Sequence, residues 1–224
     1  MRRVLRLLFA LTLVMGLQAC STVKDWFSID DEDDPTQPVE LVDIEQTVKI
    51  KKLWSTGVGN GQGKGLYHLQ PVIQGDTIFA AAEDGEVKAI DRSRGKTLWK
   101  VDLETGLSGG VGVYEDALLV GSSDGFVIKL DARTGEQQWS SRLRGEVLAP
   151  PQAEGDRVVV QTYDGKLQGL DLATGEKVWT YDSNVPVLTI RGTSTPIIRN
   201  GVVFAGFANG RVLAFNAETG DIVW

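Results

Sequence analysis

The chain has 224 residues with one cysteine, one histidine and a formal net charge of −7 at neutral pH. A single cysteine excludes an intramolecular disulfide, and a single histidine excludes a metal site built from several histidine ligands. The acidic balance argues against nucleic acid or an anionic membrane surface as the main partner, because both require a basic surface on the protein.

Residues 1–19 are organised as a signal peptide rather than as part of the fold. Three arginines precede an apolar run over residues 7–17, which is too short to span a bilayer stably. The run continues into Leu-Gln-Ala-Cys at residues 17–20, which resembles a bacterial lipobox. The resemblance implies cleavage before Cys20, acylation of Cys20 and, because Ser21 follows, an outer-membrane address. The alternative is an ordinary signal peptide followed by a buried cysteine.

Residues 20–47 are predicted to form a tether between the lipid and the fold. Consecutive acidic side chains occupy residues 30–34, prolines follow at Pro35 and Pro38, and apolar residues are sparse. Such a segment buries too little apolar surface to offset the entropy lost on ordering it. We therefore expect a solvated spacer, and the alternative is an acidic interaction tail.

One sequence pattern then occurs four times, at intervals of 40, 40 and 45 residues. Each copy has an Asp-Gly or Asn-Gly turn, a short strand, an Asp or Asn with a glycine four residues later, and a tryptophan. The four tryptophans are Trp99, Trp139, Trp179 and Trp224. A period of about 40 residues made of short strands and tight turns is typical of a β-propeller blade. The predicted fold is all-β, a propeller of four-stranded antiparallel blades over residues 48–224.

Each part of the repeat predicts a local structure. Nearly continuous apolar runs, such as residues 78–82 and 117–120, suit strands buried between neighbouring blades. Asp-Gly and Asn-Gly predict type I′ hairpins, in which both central residues have positive φ. The later Asp or Asn is expected to accept backbone N–H groups, while its glycine adopts a left-handed conformation. The tryptophan of the fourth strand is expected to pack onto the adjacent blade. Apolar residues of the third strand recur at one register as Ile90, Leu130, Leu170 and Phe215.

Both ends of the repeat region predict further blades. Trp54 precedes the first copy by 45 residues, so residues 48–56 have the pattern of a fourth strand without its partner strands. Trp224 falls in the middle of a predicted strand, where a break would leave unpaired edge groups. We expect an N-terminal portion of a propeller, with about four of eight blades. A closed four-bladed ring is the alternative.

The sequence offers few candidates for catalysis. His68 has no serine or cysteine nucleophile motif beside it, so we expect a structural or surface role. The glycine-rich segment 57–65 does not fit a phosphate-binding loop, because Val58 and Gly65 stand where glycine and Ser or Thr are required. Neither a metal nor a cofactor is predicted, because no convincing oxygen cage for calcium can be assembled.

Segments such as 89–99 and 169–179 resemble the repeat of quinoprotein-type propellers. The resemblance covers residues 71–224 and leaves two branches. The enzymatic branch uses pyrroloquinoline quinone in a central funnel with a calcium ion and a catalytic carboxylate, and many of its alcohol-oxidising members have adjacent cysteines, which this chain lacks. The non-enzymatic branch is the BamB family, lipoproteins of the outer-membrane β-barrel assembly machine.

The interval from Trp179 to Trp224 is five residues longer than the two intervals before it, and it contains an apolar insertion over residues 184–196. Insertions in repeat folds usually map to loops on one face, and exposed aliphatic side chains followed by an arginine suit a protein partner. The alternative is that Leu188 and Ile190 fill the wall of the funnel.

Residues 186–192 resemble the BamB-family loop that docks on the periplasmic POTRA domains of BamA. The resemblance implies that Leu188, Ile190 and Arg191 are partner contacts. It also implies a lipid-anchored scaffold at the outer membrane, facing the periplasm, that reaches the other lipoproteins of the machine through BamA and assists insertion of outer-membrane proteins. Unfolded barrel substrates would be further partners. The alternatives are a quinone-dependent periplasmic dehydrogenase or a general envelope-binding propeller.

Overall fold

The structure, a computed structural model, describes residues 38, 40–65 and 67–224. The predicted signal peptide, Cys20 and the acidic run lie outside these residues. The chain divides into two compact units, Met1–Ile50 and Lys51–Trp224. The described residues of the first unit form no helix or strand, and their side chains are exposed.

The described residues of the second unit form four antiparallel sheets that follow one another along the chain. The first sheet consists of β1 (Val72–Gln74), β2 (Thr77–Ala81), β3 (Glu86–Asp91) and β4 (Thr97–Asp102). The second consists of β5 (Leu107–Tyr114), β6 (Ala117–Ser122), β7 (Phe126–Asp131) and β8 (Gln137–Arg142). The third consists of β9 (Gln152–Glu154), β10 (Arg157–Gln161), β11 (Lys166–Asp171) and β12 (Lys177–Asp182). The fourth consists of β13 (Ile197–Arg199), β14 (Val202–Gly206) and β15 (Val212–Asn216).

Strands that are consecutive in the chain are neighbours in every sheet, so each sheet is a simple meander. This arrangement confirms the prediction of an all-β fold made of four-stranded antiparallel blades. No helix in the described part of the chain has the length and the apolar character needed to cross a bilayer.

The fourth sheet differs from the others at its outer edge. The strand predicted around Trp224 is reduced to a single bridge between Phe215 and Ile222. The backbone of Ala214 pairs with this segment, donating to the Trp224 carbonyl at 2.8 Å and accepting from the Val223 N–H at 2.9 Å. The segment before Trp224 therefore pairs antiparallel with β15, as predicted, but over too few residues to form a strand.

The core lies between successive sheets and explains the continuous apolar runs. In β6, Leu118 and Val120 belong to the cluster shared with the first sheet, whereas Leu119 belongs to the cluster shared with the third sheet. Alternate side chains of a strand point to opposite faces, so a strand packed on both sides needs apolar residues at every position. The recurring residues of the third strands, Ile90, Leu130, Leu170 and Phe215, are all buried, and the last three belong to the clusters between sheets.

A repeated tryptophan contact joins the outer strand of one sheet to the next sheet. The indole N–H donates to a backbone carbonyl in the neighbouring turn: Trp99 to Ala132 (2.9 Å), Trp139 to Leu172 (3.0 Å) and Trp179 to Ala217 (2.8 Å). The indole ring covers the glycine of that same turn, which is Gly135, Gly175 or Gly220. The prediction that these tryptophans pack onto the adjacent blade is confirmed.

Trp54 makes the same contact on the first sheet. Its indole N–H donates to the carbonyl of Arg92 at 3.0 Å, and its ring covers Gly95. The prediction of a strand over residues 48–56 is nevertheless wrong, because these residues form no regular structure. A strand depends on a neighbouring strand for its backbone hydrogen bonds, and none of the described strands pairs with this segment.

The Asp-x-x-x-Gly turns have the predicted geometry. In each, one side-chain oxygen of the first residue accepts the backbone N–H groups two and three residues later, at 2.8–3.1 Å. The glycine has φ between +69° and +78°. The first residues of these turns are Asp91, Asp131, Asp171 and Asn216.

The Asp-Gly and Asn-Gly hairpins differ from the predicted type I′ turn. Only the glycine has positive φ, and the preceding Asp or Asn does not. In the first hairpin the Gly85 N–H donates to the Ala82 carbonyl at 3.1 Å, while the Ala82 N–H donates to the Glu86 carbonyl at 2.8 Å. These bonds define a three-residue loop, a type I turn followed by a left-handed glycine.

Replacing the glycine beneath a docked tryptophan should destabilise the protein more than replacing a glycine of similar backbone conformation in open space. A Cβ at Gly135 would lie 2.6 Å from the Trp99 ring, whereas a Cβ at Gly155 would meet nothing within 4 Å. Both glycines have positive φ. We expect Gly155→Ala to cost about 1 kcal/mol and Gly135→Ala about 2–4 kcal/mol in urea unfolding. Equal losses would contradict the tryptophan contact.

The turn carboxylates should make the free energy of unfolding depend on pH in the acidic range. The Ser93 hydroxyl lowers the pKa of Asp91, and backbone N–H donors from Thr134 and Thr174 lower the pKa values of Asp131 and Asp171. Because these folded-state pKa values are depressed, their stabilisation is present above the unfolded Asp pKa of about 3.9 and is lost as pH falls through the folded values.

A triple Asp→Asn variant at these three turns provides the test. Asn216 already makes the same backbone contacts in the fourth sheet, so the variant should fold but be less stable than the wild type at pH 7, because it lacks the charge of the carboxylates. Between pH 5 and pH 3 its urea midpoint should fall less than that of the wild type. Parallel declines would show that the turn carboxylates do not contribute to the acid dependence.

Candidate functional site

The long loop, residues 183–196, connects β12 to β13 and contains no strand or helix. In the segment before β1 and in the two preceding connections between sheets, a backbone carbonyl accepts an N–H from the hairpin of the following sheet. These bonds join Glu83 to Gly61, Ser123 to Gly106 and Tyr163 to Glu146 at 2.8–3.0 Å. Ala208 has the corresponding place in the fourth sheet, and within the described residues its N–H makes no backbone bond of this kind. The long loop therefore lacks the regular backbone bond to the hairpin of the following sheet.

Side chains hold the base of the long loop instead. The Ser194 hydroxyl accepts the Gly206 N–H at 3.1 Å, and it lies 2.7 Å from the Gly206 carbonyl and 3.1 Å from the amide oxygen of Gln161. At the other end of the loop, the Asn209 amide donates to the Ser183 hydroxyl at 3.0 Å. Both ends are thus fixed to the third and fourth sheets.

The tip of the long loop presents apolar side chains to solvent. Val187, Leu188 and Ile190 are 102%, 91% and 90% exposed. The alternative that Leu188 and Ile190 fill the wall of a funnel requires them to be buried, and the described residues do not bury them. Exposed aliphatic side chains on an anchored loop offer apolar area that a protein partner can cover.

Arg191 is held by two residues from other connections. Its guanidinium forms an ion pair with Glu146, between β8 and β9, and lies 5.0 Å from the ring centre of Tyr67, which precedes β1. Hydrogen bonding to Tyr67 and the negative charge of Glu146 raise the pKa of Arg191. No motif in the sequence pointed to Tyr67 or Glu146. The one available signal is that Glu146 stands 45 residues before Arg191, which is one repeat interval.

Two cavities flank the long loop. One of about 390 Å³ separates the loop from the hairpins of the third and fourth sheets, and Val185, Phe207 and Val212 are among its apolar lining. The other, of about 250 Å³, is lined by His68, Leu148 and residues 190–193. Both cavities give room for partner side chains beside the exposed tip.

The other candidate groups do not form a catalytic arrangement in the described residues. His68 is exposed, as expected. In the glycine-rich segment, the Gly59 N–H donates to the Glu86 carboxylate and the Asn60 N–H to the Asp84 carboxylate, both at 2.9 Å. These donors are directed at protein carboxylates rather than at a phosphate. Across residues 40–65 and 67–224, no three His, Cys, Asp or Glu side chains are grouped so that they could hold a metal ion.

The matching family model and the curated relatives have the same name. Residues 83–224 match the family model described as outer membrane protein assembly factor BamB. A curated relative of that name from Pseudomonas aeruginosa is 60% identical over 187 residues, which cover 84% of this chain and 49% of the relative. The chain spans about half the length of the curated relatives it matches.

Solved structures show the same fold. The crystal structure of BamB from Moraxella catarrhalis is 34% identical, has a TM-score of 0.66, and is matched over 69% of this chain and 47% of that chain. The quinohemoprotein alcohol dehydrogenase ADHIIG from Pseudomonas putida is 20% identical, with a TM-score of 0.58 over 69% of this chain and 33% of that chain. The latter similarity shows a common fold only.

The tip and the base of the long loop should respond differently to substitution. Val187→Ser and Leu188→Ser remove exposed side chains, so we expect changes in unfolding free energy within about 0.5 kcal/mol. Ser194→Ala removes the partner of the Gly206 N–H and should cost about 1–3 kcal/mol. Urea unfolding measures both. A large loss from the tip variants would mean that the tip packs within the fold.

Proposed function

The chain belongs to the BamB family of outer membrane protein assembly factors, and from this premise we propose that it is a non-enzymatic scaffold of the outer-membrane β-barrel assembly machinery. In this proposal the long loop docks on the POTRA domains of BamA, with Leu188, Ile190 and Arg191 as contacts. BamA in turn connects the protein to the other lipoproteins of the machinery. Unfolded outer-membrane proteins are further proposed partners.

One observation carries the proposal: an anchored loop presents an exposed apolar tip next to an arginine. Aliphatic side chains that are about nine-tenths exposed gain most from burial against a partner, and the arginine adds directional hydrogen bonds. Arginine is also enriched among residues that dominate binding energies at interfaces. The fixed base keeps the loss of backbone entropy on docking small.

The proposed location is the periplasmic face of the outer membrane. Acylation of Cys20 would anchor the protein, since several acyl chains together give stable membrane attachment. Residues 21–47 would then separate the sheets from the lipid surface. The names of the relatives, outer membrane protein assembly factors, support an association with the outer membrane.

The quinone-dependent enzyme is the weaker alternative. A calcium ion in such an enzyme needs several oxygen ligands, usually including carboxylates. The described residues bring no group of three His, Cys, Asp or Glu side chains together for this purpose. The similarity to a quinohemoprotein dehydrogenase shows the fold alone.

Arg191→Glu should weaken docking on BamA by about 2 kcal/mol, roughly thirtyfold, if the arginine is a central contact. The measurement is recovery of BamA with the tagged full-length protein from mild-detergent membranes. Because the introduced carboxylate would face that of Glu146, Leu188→Ser provides an independent variant that leaves the charges unchanged. Both variants should lose BamA.

Arg133→Glu is the matched control, since it reverses an exposed arginine on a turn of the second sheet. It should recover as much BamA as the wild type. Undiminished recovery with both loop variants would disprove the proposed contacts. Absence of BamA from the wild-type sample would overturn the scaffold role and make quinone binding the next measurement.

A further inference from the structure

Arg191 does not extend freely from the long loop. Its Nη2 atom bonds to the Glu146 carboxylate, and its guanidinium lies over the Tyr67 ring at 5.0 Å. The three residues come from three separate connections: before β1, between β8 and β9, and within the long loop. The Arg191 side chain therefore already has two contacts outside the long loop before any partner binds.

The two contacts leave part of the guanidinium accessible. The guanidinium carries five N–H donors in a planar fork, and the bond to Glu146 uses the Nη2 atom. The Arg191 side chain remains 37% exposed, so a carboxylate from outside can reach the rest of the fork. A second, bidentate partner is compatible with the bond already made.

Glu146 is itself fixed by the sheets rather than by the long loop. Its side chain is only 19% exposed. Its backbone carbonyl accepts the Tyr163 N–H at 2.8 Å, and the next residue, Val147, is fully buried. A carboxylate that is mostly enclosed is destabilised without a charged partner, so the burial of Glu146 favours its ion pair with Arg191.

We infer that Glu146 and Tyr67 are positioning residues that hold Arg191 ready for an acidic group on the partner. The inference rests on the proposed function of the long loop. An arginine side chain loses considerable rotamer freedom when it is immobilised at an interface. Here that freedom is already restricted in the free protein, so docking requires less ordering.

Limited digestion with trypsin tests, in the absence of a partner, whether the contacts of Arg191 protect the Arg191–Gly192 bond. Cleavage at the Arg191–Gly192 bond requires the guanidinium to leave Glu146 and enter the protease pocket. Mass spectrometry of the full chain gives the rate of cleavage after Arg191. We expect Glu146→Gln and Tyr67→Leu to increase this rate about threefold to tenfold. Tyr67→Phe keeps the ring but removes the hydroxyl, so its cleavage rate should lie between those of the wild type and Tyr67→Leu. Glu136→Gln removes an exposed carboxylate elsewhere and should change nothing.

Binding to the purified POTRA region of BamA measures the consequence. Glu146→Gln should weaken binding about threefold to tenfold, and the same substitution should have no effect in an Arg191→Gln background. Unchanged urea midpoints would show that the variants are folded. Tighter binding by Glu146→Gln would show that Glu146 competes with the partner and would overturn the inference.

The two measurements separate the inference from the proposed function. If the wild type does not bind the POTRA region, the proposed function fails, and the cleavage rates alone decide whether Glu146 and Tyr67 hold Arg191. Equal cleavage rates in the wild type, Glu146→Gln and Tyr67→Leu would overturn the inference even if docking were observed.

Discussion

The contact between an indole ring and a turn glycine sets the distance between neighbouring sheets. The ring covers the glycine so closely that no side chain fits there, and the indole N–H fixes the turn by a bond to its backbone. The turn must therefore supply a residue with positive φ and no Cβ at one place in every sheet. The apolar clusters between the sheets fill the space that this contact defines, so packing of the strands depends on it.

A frame made of such repeated contacts tolerates an irregular connection between two sheets. The long loop lacks the backbone bridge seen in the preceding connections, and the Ser194 hydroxyl supplies bonds to Gly206 and Gln161 in its place. The frame keeps both ends of the loop fixed, so its tip can present Leu188 and Ile190 to solvent without loosening the core. This division between a rigid frame and an exposed loop is typical of recognition sites.

The same kind of frame occurs in proteins with different activities. The chain is similar in fold both to BamB and to a quinohemoprotein alcohol dehydrogenase. Function must therefore be argued from the side chains that the frame brings together. In the described residues these are an arginine, a glutamate and a tyrosine around an apolar tip, rather than a set of metal ligands. That combination suits recognition of another protein.

The sequence by itself determined the repeat, its tryptophan and aspartate contacts, and the place of the long loop. These features depend on short-range patterns, such as burial at every position of a strand and hydrogen bonds within one turn. Tertiary structure alone decided that residues 48–56 form no strand, which type of hairpin forms and which residues contact Arg191. A strand needs a neighbour that the local pattern does not specify, and a three-residue loop has the same Asp-Gly signature as a two-residue one. Tyr67 and Glu146 meet Arg191 only because the sheets bring distant connections together.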